Sequence, residues 1–162
     1  MALANGLMTQ QASYNTADEL NTLTNANFTD ETKMTSSHLL IVDDEENLRT
    51  MYVDILSEFG YDVTGVADAE EALAMLNSKH FSLVITDMRL PGMSGTDLYE
   101  SACLENPELS GRFVFASGDS HTQFLQDYAQ HTGNRCLEKP FSLVQLLSTV
   151  REMLGVFAPS LT

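Results

Sequence analysis

Short apolar runs recur along residues 38–155, with helical patterns between them. The runs are five to seven residues long, which is the length of a β-strand rather than of a helix. They lack a strict apolar-polar alternation, as is typical of strands covered on both faces. The sequence therefore predicts five buried strands: HLLIVDD (38–44), YDVTGV (61–66), FSLVITD (81–87), RFVFAS (112–117) and RCLEK (135–139).

Between and after these runs, apolar residues return at the spacing of an amphipathic helix. The pattern predicts five helices with recognisable beginnings or ends. The first helix ends at Gly60 and carries the apolar residues Leu48, Met51, Tyr52, Ile55, Leu56 and Phe59. The second helix begins with a capping box at Asp68 and Glu71, and the third runs from about Thr96 to Glu105. The fourth helix carries Leu125 and Tyr128 and ends near Gly133, and the fifth is capped by Ser142 and Gln145.

Alternation of strands and helices indicates the fold class. Strands joined by helical crossovers form a mainly parallel sheet with helices on both faces. We therefore predict one doubly wound α/β domain over residues 38–157. The segment 1–37 is polar and has few large apolar residues, so we expect a disordered tail there, with Met1 or Met34 as alternative starts. Residues 158–162 are expected to form a short C-terminal tail.

The charge and composition of the chain limit the kinds of partner that it is expected to bind. The chain has 23 acidic and 8 basic residues, a formal charge of −15, so nucleic acid and anionic membrane surfaces are not expected to bind it. Two cysteines do not form a disulfide framework, and no apolar run reaches the 18 residues of a membrane span. A secretory signal is also missing from the N-terminal sequence, so a cytoplasmic protein is expected.

Polar residues stand where several of the predicted strands end. Asp43 and Asp44 follow the first strand, Asp87 ends the third, Ser117 the fourth and Lys139 the fifth. Each alone has an ordinary explanation, such as a helix cap or a surface lysine. Because ligands of doubly wound sheets bind outside the carboxyl ends of the strands, the five together predict a site at one sheet edge.

Three carboxylates at one edge repel each other, by roughly 4 kcal/mol per pair at about 4 Å and an effective dielectric constant of about 20. A divalent cation relieves this repulsion, and an all-oxygen site suits Mg²⁺. A lysine and a hydroxyl beside it match the needs of a phosphoryl group in transfer. Asp87 is the best candidate nucleophile, because the flexible MRLPG loop beside it leaves room for an incoming group.

Four motifs over residues 38–155 resemble the receiver domain of two-component response regulators: LLIVDDEE, VITDMRLPGMSG, VFASGD and LEKPF. The resemblance implies the flavodoxin-like (βα)5 fold of chemotaxis-type receivers, with strand order 2-1-3-4-5. It also implies that Asp87 accepts a phosphoryl group from a phosphohistidine on a histidine kinase or histidine phosphotransfer domain.

The resemblance assigns roles to the other residues of the edge. Asp44 and Asp87 match direct ligands of Mg²⁺, with Mn²⁺ as the alternative ion, and Asp43 matches an acid that acts largely through water. The remaining implied roles are a metal ligand at the Arg89 carbonyl, phosphoryl contacts at Ser117, Lys139 and the Gly118 backbone, and a cis peptide bond at Lys139-Pro140.

Two positions bear on how a signal would be tuned and read. Many receivers carry an aromatic switch residue three positions before the lysine, whereas this chain has Cys136 there and departs from the family pattern at that position. Arg89 and Asp119 occupy positions where the family tunes phosphoryl lifetime, either as a pair or as independent surface charges. GNRCLEKPF is also similar to receivers attached to hybrid sensor kinases.

The leading hypothesis is a stand-alone receiver without a catalytic output domain, self-phosphorylating and slow to dephosphorylate. Its output would be a protein partner, bound through the fourth helix, fifth strand and fifth helix, or onward phosphotransfer. It would be a monomer or a phosphorylation-dependent dimer. One alternative is an aspartyl-phosphate phosphatase of haloacid-dehalogenase type, which Arg89 disfavours because those enzymes need an acid two residues after the nucleophile. The other is a pseudo-receiver that binds partners without phosphorylation.

Overall fold

The computed structural model describes residues 37–118 and 122–156. Five strands form one parallel sheet in which the second strand of the chain is followed by the first, third, fourth and fifth, which confirms the predicted fold class and the strand order implied by the resemblance. The predicted C-terminal tail, and the N-terminal segment except residue 37, lie outside the described residues. The strands are β1 (His38–Val42), β2 (Asp62–Val66), β3 (Leu83–Asp87), β4 (Phe113–Ser117) and β5 (Arg135–Glu138).

Five helices connect and follow these strands, and a 3-10 turn at Pro107–Leu109 precedes β4. The helices are α1 (Glu46–Glu58), α2 (Ala69–Ser78), α3 (Gly95–Glu105), α4 (Thr122–His131) and α5 (Leu143–Met153).

The apolar residues of the central strands β1 and β3 are all buried. Leu39, Leu40 and Val42 of β1 and Val84 of β3 have no solvent exposure. Both faces of these strands are covered, which explains why their sequences show no alternation. The two strands are in parallel register up to Val42 opposite Thr86, so Asp43 and Asp87 come at the same level of the sheet edge.

Helix caps hold the ends of the helices near this edge. Ser94 and Asp97 form a capping box at the start of α3, and Ser142 and Gln145 form the predicted one at α5. The capping box predicted for α2 is only half formed. Asp68 accepts the Glu71 N–H at 2.8 Å, but the Glu71 carboxylate reaches past the cap to the N–H of Ala67.

The segment after β3 differs from the open, flexible loop that its Pro-Gly pair predicted. Arg89–Leu90 and Met93–Ser94 pair as a small antiparallel hairpin with Gly92 in its turn at φ +75°. The side chain of Leu90 is buried, so apolar packing holds this hairpin against the domain. The chain beside Asp87 is therefore an ordered turn.

Gly95 generates a prediction about how α3 sits on the end of β3. A Cβ at this position would lie 2.7 Å from the carbonyl oxygen of Asp87, a backbone atom that has no side-chain freedom to move away. We expect Gly95→Ala to lower the free energy of unfolding by about 1–3 kcal/mol in urea titrations, through overpacking.

Gly65→Ala is the matched control, because its Cβ would meet only side-chain atoms, of Val53 at 3.0 Å and Arg49 at 3.1 Å. These side chains can move, so the loss should be smaller. Equal losses in the two variants would contradict the tight backbone contact between α3 and β3.

Candidate functional site

Three carboxylates meet at the carboxyl edge of the sheet. One oxygen of each of Asp43, Asp44 and Asp87 lies within 4.8 Å of the others. Asp43 is buried, with 3% of its surface exposed, whereas Asp87 is half-buried and Asp44 is exposed. The cluster thus runs from the protein interior to solvent, open to a ligand on the side of Asp44.

Local hydrogen bonds fix the orientation of Asp43. Its Oδ1 accepts the N–H of Glu45 at 2.9 Å, and its backbone carbonyl accepts Nη1 of Arg49 at 2.7 Å. These bonds tie the end of β1 to the first turns of α1. A buried carboxylate needs such partners, because burial of an unpaired charge is costly.

Lys139 supplies the positive charge of the site. Its Nζ lies 3.5 Å from Oδ2 of Asp43 and 3.5 Å from Oδ2 of Asp87, so one ammonium group spans two carboxylates. Its backbone N–H donates to the carbonyl of Ser117 at 2.7 Å, and the following Lys139-Pro140 peptide bond is cis. The lysine therefore reaches the site from a turn fastened to the end of β4.

The environment of Asp87 disfavours its ionised form. Burial is the largest influence that raises its pKa above the usual 3.8, and the charge of Asp43 adds to it. Lys139 and the N–H of Arg89, which donates to Oδ1 at 3.4 Å, oppose the rise without cancelling it. Burial therefore decides the direction of the shift.

This donor set fits a magnesium ion. Mg²⁺ prefers oxygen ligands and is bound through one or two carboxylates while it keeps several waters. Asp44 and Asp87 offer oxygens on the accessible side of the cluster. A cation there would also favour the ionised form of Asp87, which burial and the charge of Asp43 disfavour.

The remaining predicted residues differ in their exposure to solvent. Ser117 is buried at the end of β4, and the backbone of Lys139 pairs with it. Arg89 is exposed at the start of the hairpin, and its backbone contacts Asp87. A Cβ on Gly118 would lie 3.7 Å from that of Lys139, so sterics do not demand glycine there. Asp119 lies outside the described residues.

Cys136 lies in β5 opposite Phe115 and packs half-buried against the core. Burial, with a smaller influence from Glu138, raises the pKa of its thiol to about 11. The side chain is therefore a neutral thiol at physiological pH. Cys136 occupies the position at which the resemblance leads one to expect an aromatic residue. Its side chain is smaller and has no ring that could change its rotamer.

Sequence reasoning missed two residues beside the site. Arg49 binds the carbonyl of Asp43, and its place six residues after that acid was the only signal available. Tyr52 was assigned to the apolar face of α1, and it is buried, but its ring also stacks on Phe141, two residues after Lys139. Helical periodicity shows that a residue is buried but does not show what it packs against.

The fold and the acidic edge define a doubly wound α/β domain with a cluster of carboxylates at the carboxyl ends of its strands. The response regulator receiver domain family matches residues 39–151, and the chain belongs to this family. Receiver domains of this family act in two-component signalling, with histidine kinases and downstream partners.

Relatives span both receiver-only and larger proteins. The chain is 33% identical to the sensor kinase CckA of Brucella abortus over 74% of its own length but only 13% of CckA. It is 29% identical to the response regulator receiver protein CpdR of the same organism, over 72% of this chain and 95% of CpdR.

The solved structure of the chemotaxis protein CheY4 of Vibrio cholerae superposes with a TM-score of 0.66 at 26% identity, over 73% of this chain and 98% of that one. In the described part of the chain, no helix is both long and apolar enough to cross a membrane.

The raised pKa of Asp87 generates a prediction about stability. A group whose pKa is higher in the folded state than in the unfolded state stabilises the fold while protonated, and this contribution is lost as pH rises through the folded-state pKa. Without divalent cations, Asp87→Asn should therefore have a higher Tm than the wild type at pH 7. The difference should shrink as the pH falls towards the usual value of 3.8.

Thermal unfolding followed by circular dichroism from pH 4 to pH 8, with chelator, checks this. Mg²⁺ at a free concentration of about a hundred times its dissociation constant should stabilise the wild type by about 2.7 kcal/mol. The same Mg²⁺ concentration should stabilise Asp87→Asn less, because one ligand oxygen has lost its charge. Asp54→Asn, on the exposed part of α1, is the control and should respond to Mg²⁺ as the wild type does. If Asp87→Asn has a lower Tm than the wild type at pH 7 in the presence of chelator, the prediction is contradicted. The attraction between Lys139 and the Asp87 carboxylate would then outweigh the cost of its burial and its repulsion by Asp43.

Proposed function

We propose that this protein accepts a phosphoryl group from a phosphohistidine onto Asp87. The observation that carries the proposal is the cluster of three carboxylates, within 4.8 Å of one another, with Lys139 at 3.5 Å from two of them. The phosphodonor would be a histidine kinase or a histidine phosphotransfer domain, in line with the family to which the chain belongs.

Asp87 is the nucleophile in this proposal. A carboxylate oxygen of Asp87 attacks the phosphorus, the bond between phosphorus and the imidazole nitrogen breaks, and its electron pair returns to the ring. Asp87 is suited to this role because it lies half-buried at the end of β3, beside the exposed Asp44. Burial and Asp43 raise its pKa, and the form that attacks is the ionised carboxylate.

The other residues stabilise the charge of the phosphoryl group. Lys139 would turn its ammonium group to a phosphoryl oxygen, and Ser117, at the neighbouring strand end, would donate its hydroxyl. Asp44 and Asp87 would hold Mg²⁺, with Asp43 behind them and the Arg89 carbonyl as a further ligand. Magnesium supplies neutralisation of the phosphoryl oxygens when bound.

The output of the phosphorylated protein would be a partner protein or onward phosphotransfer. A surface on α4, β5 and α5 suits a partner, because Phe124 is 72% exposed on α4 and Val144 is exposed on α5. The chain matches the response regulator receiver protein CpdR over 95% of its length and a probable chemotaxis protein CheY of Rhizobium etli over 92%, which supports the receiver part of the proposal.

Intact-mass spectrometry with acetyl phosphate tests the proposal. The full chain should gain a single phosphoryl group in the presence of Mg²⁺ and none with chelator. Asp87→Asn should abolish the gain, whereas Asp54→Asn, an exposed acid of α1, should leave it intact.

Each alternative predicts a different result. No adduct with any phosphodonor would favour a pseudo-receiver, and rapid turnover of phosphomonoesters would favour a phosphatase. An adduct that persists in Asp87→Asn would place the acceptor elsewhere.

Lys139 generates a second prediction. Removal of one preorganised donor from a site of developing negative charge costs about 10²-fold in rate or more. We therefore expect Lys139→Ala to slow phosphorylation by acetyl phosphate by about 10²-fold while Mg²⁺ still raises the Tm. Lys79→Ala, at the exposed end of α2, is the matched control and should leave the rate unchanged. If both variants are phosphorylated at the rate of the wild type, Lys139 has no role in the transfer of the phosphoryl group.

A phosphotransfer assay separates the two modes of output. The phosphorylated protein is mixed with candidate histidine phosphotransfer domains, and the phosphoryl group is followed in both directions. Reversible exchange would mark a phosphorelay shuttle, whereas retention on this protein would mark an effector that binds its partner directly.

A further inference from the structure

The turn that carries Lys139 is fastened on two sides. On its N-terminal side, the backbone N–H of Lys139 donates to the carbonyl of Ser117 at 2.7 Å. On its C-terminal side, the ring of Phe141 stacks on the ring of Tyr52, with centroids 5.6 Å apart and an interplanar angle of 24°. The first contact joins the turn to β4, and the second joins it to α1.

Tyr52 lies beside the acidic cluster as well as beside this turn. It lines an open groove of about 390 Å³ together with Lys139, Pro140 and Phe141, and only 8% of its surface is exposed. Burial first, and then the carboxylates of Asp43, Asp87 and Glu45, raise the pKa of its hydroxyl to about 12. The side chain is therefore neutral at physiological pH, and it forms an uncharged wall of this groove on the side of α1.

Lys139 depends on such a wall for its position. Its side chain has four flexible carbons, and an ammonium group is strongly hydrated, so water competes with the two carboxylates for it. Each carboxylate holds it only at 3.5 Å. The placement of Nζ between them thus depends on where the backbone of the turn and the wall of the groove lie.

We propose that Tyr52 is a positioning residue for Lys139: its ring, stacked on Phe141, holds the turn so that the ammonium group lies between Asp43 and Asp87. The inference about the lysine's position stands on these contacts, and its consequence for phosphoryl transfer rests on the proposed function. Loss of the ring would remove the stacking contact that joins the turn to α1. Lys139 would then spend more time in solvent and less beside the phosphoryl group.

Chemical labelling of lysines measures this directly and without phosphorylation. The folded 162-residue chain is treated briefly with an amine-acylating reagent. Modification of Lys139 is then compared by mass spectrometry with that of the exposed Lys79, which is the internal reference. Tyr52→Leu should raise the relative labelling of Lys139 by about threefold or more, because local opening exposes the amine. Tyr52→Met, with a longer apolar side chain, repeats the test if the leucine variant folds poorly.

Two control variants separate positioning from general loss of packing. Tyr52→Phe keeps the stacked ring and should label as the wild type does. Tyr61→Leu removes a tyrosine of equal burial, 7% exposed, that lies away from the acidic edge, and it should also label as the wild type does. Equal labelling of Lys139 in the wild type and in both Tyr52→Leu and Tyr52→Met would overturn the proposal, and so would a rise of the same size in Tyr61→Leu.

Phosphorylation kinetics add a readout that a merely structural role would not produce. Tyr52→Leu should slow modification by acetyl phosphate by about tenfold, since small misplacements of a reacting group are costly in rate. In a Lys139→Ala background the same substitution should have no further effect, because the residue through which Tyr52 acts is gone. A further tenfold loss in that background would contradict action through Lys139. If the wild type takes up no phosphoryl group, the proposed function fails, and the labelling still decides the position of the lysine.

Discussion

The repulsion among three carboxylates at one sheet edge is the constraint on which the rest of this site depends. Parallel register brings β1 and β3 to the same level, so Asp43 and Asp87 emerge together and Asp44 joins them. Burial prevents water from screening these charges fully. The cluster therefore binds positive charge from the protein, from a metal ion or from both, and the folded state is ready for ligands that bring it.

One lysine offsets part of this charge, and the fold uses several elements to keep it there. The end of β4 holds the backbone of Lys139, and α1 contributes both Arg49, which orients Asp43, and Tyr52, which lies under the turn after the lysine. Helix α1 therefore links the acidic and basic halves of the site. In this respect α1 is a supporting part of the site and not only a cover for the sheet.

The sequence was sufficient for the fold and for the membership of the acidic edge, because apolar runs mark strands and parallel strands end at one edge. It was not sufficient for contacts that join elements distant along the chain. The hairpin around Gly92 has strands of only two residues, too short for any periodicity. The stacking of Tyr52 on Phe141 joins residues far apart in sequence. The Glu71 carboxylate accepts the N–H of Ala67 and not that of the cap residue Asp68, and the sequence pattern of a capping box does not distinguish these two neighbouring donors.

Chemical identification of the phosphorylated residue tests the central claim most directly. The protein is phosphorylated in the presence of Mg²⁺ and treated at once with borohydride, which reduces an aspartyl phosphate to homoserine, and the peptides are then sequenced by mass spectrometry. Homoserine at position 87 and at no other acid is the expected result. Homoserine at another acid, or an unmodified position 87 in protein that carries a phosphoryl group, would contradict the assignment of Asp87 as the acceptor.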